Sequence, residues 1–509
     1  MLTTAPARGL AARIGRPGRH AVVIGSGFGG LAAAIRLGAR GYRVTVLERL
    51  DGPGGRAYVF KQDGFTFDAG PTIVTVPFLL EELWALCGRE LAQDVDLRPL
   101  DPFYRIRFHD GEVFDCHGND DAMHREVARL SPDDVAGYDA FMRQAEAIYR
   151  VGFEQLGAVP FSTWSDMVKV LPDFMRLQSY RSVHGLVAKY VRDPRVRFAL
   201  SFHPLFIGGN PFKVTSIYAL IAFLERRYGV HFPMGGMGRL VRGLVRLIER
   251  QGNEVRYGAE VGEIDVQRNA ARGVRLKSGE YIKSDIVVSN ADASWTYRHL
   301  LPHAVRRRWS DNKLDRASYS MGLFVWYFGT SRQYPDVKHH TILVGPRYRA
   351  LLDDIFKRRV LAKDFSLYLH RPTATDPSLA PKGQDAFYAL APVPHLDAGI
   401  DWDVTAEPYR RAIAEMIGQV ALPGFERHIV TSRVMTPQDF HDCLLSHKGA
   451  AFGFEPLFTQ SAWFRPHNKA EDVERLYLVG AGTHPGAGVP GVLCSAKVLD
   501  RVVPHAALL

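Results

Sequence analysis

The first residues in this 509-residue chain whose spacing suggests chemistry are three glycines and an acid. In HAVVIGSGFGGLAAAIRLGARGYRVTVLE, running from His20 to Glu48, Gly25, Gly27 and Gly30 have the G-x-G-x-x-G spacing, with Ser26, Phe28 and Gly29 between them. That pattern suits a dinucleotide. The first glycine permits a tight turn, the second admits a pyrophosphate against the backbone, and the third lets a helix pack closely on a sheet. The helix start that follows offers free N–H groups and a positive dipole end to phosphates. Glu48, followed by Arg49, closes the second strand, where a carboxylate accepts hydrogen bonds from ribose hydroxyls. The motif alone does not separate a flavin from a nicotinamide.

A second glycine cluster lies near the other end, in GAGTHPGAGVPGVLCSAK from Gly480 to Lys497. Leu476 to Ala496 is 21 residues without Asp, Glu, Lys or Arg, long enough for a membrane span. Its glycines, prolines and His484 oppose that reading. LYLVG reads instead as a buried strand and GAGTHPGAGVP as a turn. PGVLCSAKVLDRVV reads as a helix with Pro490 in its first turn. A helix start without acids stabilises negative charge, so this element suits a ring that becomes anionic on reduction.

The elements that must position these loops follow from pattern. AVVI and RVTVLE read as buried strands on either side of an Ala-rich helix, a βαβ unit. Gly54-Gly55-Arg56 follows, then two strand-like runs joined by Asp63-Gly64, a favoured hairpin turn. Residues 252–292 alternate as β-structure and end at Asn290 and Asp292, which suit either a cofactor contact or a turn cap. Met321 to Phe328 is continuously apolar, which fits equally a tunnel wall and a core strand.

Composition sets the bounds. The chain is 46% hydrophobic and 23% charged, an ordinary globular balance, and its length implies more than one lobe. The net charge of +10 is scattered, which argues against nucleic acid as a partner. Residues 1–19, with Arg8, Arg13, Arg16 and Arg19, read as a flexible basic tail. Cys87, Cys116, Cys443 and Cys494 form no C-x-x-C pair and no metal-ligand spacing, so no metal site and a reducing compartment are expected.

With these pieces placed, the chain resembles the bacterial-type phytoene desaturases, carotenoid-forming enzymes of the amine-oxidase-like flavoprotein group. The resemblance is carried by VVIGSGFGGLAAAIRL, PGGRAYVF, GFTFDAGPTIV, SFHPLFIGGNPF, SNAD, SLYLH, APVPHL, TQSAWFRPHN and LYLVGAGTHPGAGVPG, and spans about His20 to Val503. It implies an α/β fold with a Rossmann-type FAD-binding domain in discontinuous segments, 20–74, 231–294 and 466–509. It implies an α+β substrate domain over 295–465, and a substrate and helical, membrane-associating region over 75–230. The implied FAD contacts are Gly25, Ser26, Gly27, Phe28, Gly29, Gly30, Glu48, Arg49, Gly54, Gly55, Arg56, Pro71, Thr72, Val261, Asn290, Gly480, Gly482, Thr483, Gly488, Val489 and Pro490.

The implied substrate is phytoene, a long polyene held by apolar burial. Each desaturation removes a hydride and a neighbouring proton, and the electrons pass on to oxygen or a quinone. His203, His370 and His395 lie in apolar blocks and are conceivable bases, but none is assigned. Neurosporene and lycopene are the expected products. A later-step desaturase, a carotenoid isomerase and a lipid carrier of the same fold are the alternatives. Such a substrate lives in a bilayer, so peripheral attachment to the cytoplasmic membrane is expected. The basic, aromatic stretch Phe161 to Arg192 is suited to it.

Overall fold

A computed structural model describes residues 18–508. The basic-tail expectation for 1–17 therefore lies outside the described residues. Arg19 departs from it, since its guanidinium pairs with Asp285 at 3.0 Å beside the first strand.

His20–Ile24 is the middle of a five-stranded parallel sheet. The order is Leu476–Leu478, Ile286–Ser289, His20–Ile24, Arg43–Leu47, Glu254–Arg256. After His20 the strand is apolar, Ala21 to Ile24, because both faces are covered. Ala21 and Val23 point to a layer of three helices, Phe28–Ala39, Met237–Arg250 and Val489–Val502. Val22 and Ile24 point the other way, onto Ile264, Ala271 and Val274 of a three-stranded antiparallel sheet. Three distant chain segments thus build one layered unit. The opening and closing helices are tied by Arg36, buried, which reaches Asp500 at 2.7 Å and Glu82 at 2.9 Å.

The second unit is a seven-stranded sheet. Its order is Ile429–Met435, Gly322–Thr330, Asp385–Val393, Leu367–His370, His340–Val344, Tyr104–Phe108, Val113–Cys116. It corrects the expected boundaries. Residues 104–116 belong to this sheet through a parallel pairing of Ile106 with Ile342, so 75–230 is not a unit separate from 295–465. Short strands whose partners lie hundreds of residues away carry no local sign of that pairing.

The apolar run Met321 to Phe328 also resolves here. Alternation along the strand sends Leu323 and Val325 to the face that carries the cavity. Phe324, Trp326 and Phe328 face Ile413, Ile417 and Phe425 on the opposite side, under the helix Trp402–Val420. The run is both tunnel wall and core, one residue at a time. Helices Val135–Tyr149, Val183–Tyr190, Pro194–Ser201 and Leu220–Tyr228 cover the cavity face. Among the described residues no helix is long and apolar enough to cross a membrane.

Candidate active site

The glycines of the opening turn are explained by what crowds them. Gly25 has φ +88° and donates its N–H to Leu47 O at 2.8 Å, closing the turn onto the second strand. A Cβ at Gly30 would lie 2.1 Å from Gly25 O, so only hydrogen fits where the helix meets the turn. Asn290 occupies the space between the two ends of the chain. A Cβ at Gly27, Gly29 or Gly480 would come within 2.9, 2.6 or 2.7 Å of its side-chain amide. The next carboxylate, Asp292, does the capping, accepting from Trp295 N at 3.1 Å. Both Asn290 and Asp292 line the cavity that the two glycine-rich turns share.

Both glycine-rich turns open onto one cavity of about 780 Å³. Gly25, Gly27, Phe28, Gly29, Glu48, Arg49, Gly54, Gly55, Arg56, Pro71, Thr72, Val261, Asn290, Gly480, Gly488, Val489 and Pro490 all line it. The helices starting at Phe28 and Val489 have no side-chain cap and no acid in the first turn, so their dipole ends face this space without competition. Arg56 donates to Ser446 Oγ at 2.7 Å, while its buried Nε has no protein partner. Burial disfavours the charged forms of both Arg56 and nearby Asp292, and each partly offsets that cost for the other. Uncapped helix starts, close-approach glycines and an unpartnered buried guanidinium nitrogen fit an anionic dinucleotide with an electron-accepting ring.

Glu48 is buried just past the end of the second strand. One oxygen accepts from Ser26 N and Oγ at 2.8 and 2.7 Å, and the other from Leu50 N at 3.0 Å. Four of the expected contacts stand behind the cavity wall instead of on it. Ser26 is the fully buried support of Glu48. Gly30 serves the helix–turn contact already described. Gly482 makes room for Ala293, whose Cβ would be 2.5 Å from an added Cβ, and Thr483 donates to Pro466 O at 2.6 Å. All four serve packing one layer back from the lining.

Beyond Arg56 the cavity becomes apolar, lined by Met321, Leu323, Val325, Phe206, Leu390 and Ala451 among others. None of the three candidate histidines lines it. His203 Nε2 is 3.2 Å from Glu225 Oε2, and His395 accepts from Asp397 N as the cap of a short turn. His370 is buried on the cavity side of its strand, packed against Tyr368 and Tyr388, but does not reach the lining. The polar side chains that do reach the apolar part include Glu225, held by Tyr104 OH at 2.8 Å, and Tyr368, whose hydroxyl meets Thr72 Oγ1 at 2.8 Å. Sequence reasoning assigned neither a role: Tyr368 lies inside SLYLH, which was read only for resemblance, and Glu225 lies beside Arg226 and Arg227, where it reads as a surface ion pair.

The far end reaches helix Trp164–Arg176, which starts at a capping box formed by Thr163 and Asp166. Met167, Val170 and Phe174 of this helix line the cavity. On its other face Trp164, Val168, Leu171 and Met175 follow a period of three and four residues and are 52–56% exposed. A helix that is apolar on both sides, one toward the cavity and one toward the outside, is unusual on a water-facing surface.

Comparison with known proteins agrees with this geometry. The Flavin containing amine oxidoreductase family matches residues 28–497. A neurosporene-forming phytoene desaturase of Cereibacter sphaeroides is 53% identical over 492 residues, covering 96% of this chain and 95% of that protein. A lycopene-forming phytoene desaturase of a Paracoccus species is 49% identical over 486 residues, covering 95% and 97%. Among solved structures, cyclohexylamine oxidase from Brevibacterium oxydans has a TM-score of 0.61 at 15% identity, covering 96% of this chain and 99% of its own, a likeness of fold.

Proposed function

From the premise that this chain belongs to the Flavin containing amine oxidoreductase family and, within it, to the phytoene desaturases, we propose that it introduces successive double bonds into 15-cis-phytoene, giving neurosporene or lycopene. It is an FAD-dependent oxidoreductase acting on carotenoid CH–CH groups. The observation that carries the finer reading is that one cavity is lined by both glycine-rich turns, by Arg56 and by an extensive apolar wall.

FAD held at the turns supplies the two-electron acceptor, and oxygen or a quinone is our proposal for the onward acceptor. The chain's residues do the rest. Gly27, Gly29 and Gly480 leave the backbone open to the cofactor, while Glu48, Arg49, Arg56, Thr72 and Val261 border it. Leu323, Val325, Leu390 and their neighbours bind the polyene by burial, at about 25 cal/mol per Å² of apolar surface removed from water. They also keep water from the cation left when a hydride departs. That cation is delocalised along the polyene, so the adjacent C–H is acidic enough that a weak base suffices. Expressing the gene in a host that accumulates phytoene tests the reading. Yellow or red pigment is expected, and unchanged colourless phytoene with an FAD-loaded protein would overturn it.

We also propose that the outer face of helix Trp164–Arg176 lies in the membrane interface on the cytoplasmic side and that phytoene enters there. The four outward apolar residues support this, with Lys169 and Arg176 on the same helix positioned for anionic headgroups. Burying four half-exposed side chains is worth about 1 kcal/mol each. L171D/M175D should therefore lower co-flotation with anionic liposomes at least tenfold while FAD content stays unchanged. Equal flotation of variant and parent would refute this attachment.

A further inference from the structure

Behind the cavity wall three histidines converge. His340 opens the strand His340–Val344 and His370 ends the neighbouring strand Leu367–His370; in the antiparallel register these two residues are direct partners. His339 precedes them by one residue, and Arg371 N donates to its carbonyl at 2.9 Å, which extends the pairing. The three side chains are 6%, 0% and 1% exposed. One ring nitrogen from each comes together, all within 4.8 Å of one another.

The hydrogen bonding around them is one-sided. His339 Nδ1 lies 2.6 Å from Thr375 Oγ1 and His340 Nδ1 lies 2.5 Å from Tyr368 OH. On the other side, His339 Nε2, His340 Nε2 and both nitrogens of His370 are buried with no protein partner. Buried polar atoms are nearly always partnered, so four orphan nitrogens in one cluster need an occupant. Two imidazoles held at Nδ1 by an oxygen, clustered with a third whose nitrogens are both free, leave one nitrogen from each for a shared metal.

We infer that His339, His340 and His370 bind a divalent zinc ion. Three neutral imidazoles without a carboxylate do not suit magnesium or calcium, which take oxygen ligands, whereas zinc takes nitrogen readily and does no redox chemistry beside a flavin. Tetrahedral zinc with bonds of 2.0–2.1 Å sets ligand nitrogens about 3.3 Å apart. Rotation of the rings within the 4.8 Å cluster closes the difference. The fourth position is left to water or hydroxide. Arg371, which adjoins the cluster, is matched by fully buried Asp385 at 2.9 Å.

The ion clips two central strands of the sheet together. It also anchors Tyr368 through His340, and Tyr368 is the residue whose hydroxyl holds Thr72 at the cavity wall. The inference does not depend on the substrate: a site with this ligand set holds zinc whatever the polyene product.

Metal analysis of the FAD-loaded enzyme decides the matter. The protein is purified with a tag free of histidine, in buffer without chelator, and assayed by inductively coupled plasma mass spectrometry. About one zinc per chain should survive gel filtration, with a zinc-edge absorption spectrum fitted by nitrogen or oxygen neighbours near 2.0–2.1 Å. Dipicolinate should remove the ion and lower the melting temperature, and added zinc chloride should restore it. H370A should bind zinc at least a hundredfold more weakly while retaining FAD. Fewer than about 0.1 zinc per chain in the parent, with no thermal shift on adding excess zinc chloride, would overturn the inference even if H370A does not fold. So would zinc that remains stoichiometric in a folded H370A.

Discussion

Gly30→Ala separates the two jobs of the opening turn. An ideal Cβ there would lie 2.1 Å from Gly25 O, whereas real Cβ atoms essentially never come within 3.0 Å of another heavy atom. The helix start and the turn must therefore part by at least 0.9 Å. Gly25 is poorly placed to yield, since its N–H is bound to Leu47 O and its φ of +88° holds the turn. The helix moves instead. Replacing glycine within a helix gains about 1 kcal/mol of propensity, and forced overpacking costs about 1–3 kcal/mol, so net destabilisation is expected to stay below about 2 kcal/mol. The cofactor senses the full displacement. Loss of one charge-assisted hydrogen bond from the retreating helix start costs about 1.5–3 kcal/mol, a ten- to hundredfold weaker FAD affinity. Fluorescence titration of apoenzyme with FAD measures this directly, with urea unfolding recording stability alongside. Gly418→Ala is the control: its added Cβ meets only Phe425, at 3.8 Å, in an ordinary contact. It should stabilise by about 1 kcal/mol and leave FAD binding unchanged. FAD affinity in the Gly30→Ala protein within twofold of the parent would refute the reasoning.

Two further outcomes are expected. His484, buried at the cavity with Nε2 donating to Leu156 O at 3.0 Å, has its pKa pulled from 6.5 down to about 4 by burial. The folded state binds fewer protons than the unfolded chain between those values, so this stability is complete above pH 6.5 and lost as pH falls toward 4, by about 2 kcal/mol at pH 5. Unfolding of His484→Gln and parent at pH 7.5 and 5.0 checks this, and parallel pH dependences would contradict it. Ala451→Leu thickens the apolar wall at a buried lining position. It should reduce phytoene turnover or halt desaturation earlier, seen in the pigment spectrum, with FAD content per chain unchanged.

What the sequence made legible was the chemistry that backbone performs. A pyrophosphate and an anionic ring are met by glycines and helix starts, and those need residues close together in the chain, as in Gly25–Gly30 and Gly480–Pro490. Long-range pairing was not legible. Nothing local in Tyr104–Phe108 announces a partner in His340–Val344, so the substrate unit was divided where the sheet is continuous. Strict alternation was hidden for a different reason. In Met321 to Phe328 both faces of the strand are buried, so inward and outward residues are equally apolar, and only the facing layers tell them apart. His370 was read only as a conceivable base, and its meeting with His339 and His340 went unread because strand pairing, not spacing, brings them together.

The same distinction bears on the product. Neurosporene-forming and lycopene-forming relatives stand at 53% and 49% identity to this chain, a small difference over nearly the whole length. A hydrocarbon tunnel binds by area, and one aliphatic lining residue substitutes for another at a cost usually below about 1.5 kcal/mol. Residue types along the wall can therefore drift without changing the class of substrate. On the function proposed above, how far desaturation proceeds would follow from how deep the polyene slides past the cofactor, and so from where the apolar cavity narrows. Wall positions such as Ala451, where an added side chain shortens the path, should accordingly shift the product more than changes among the large apolar residues that already fill it.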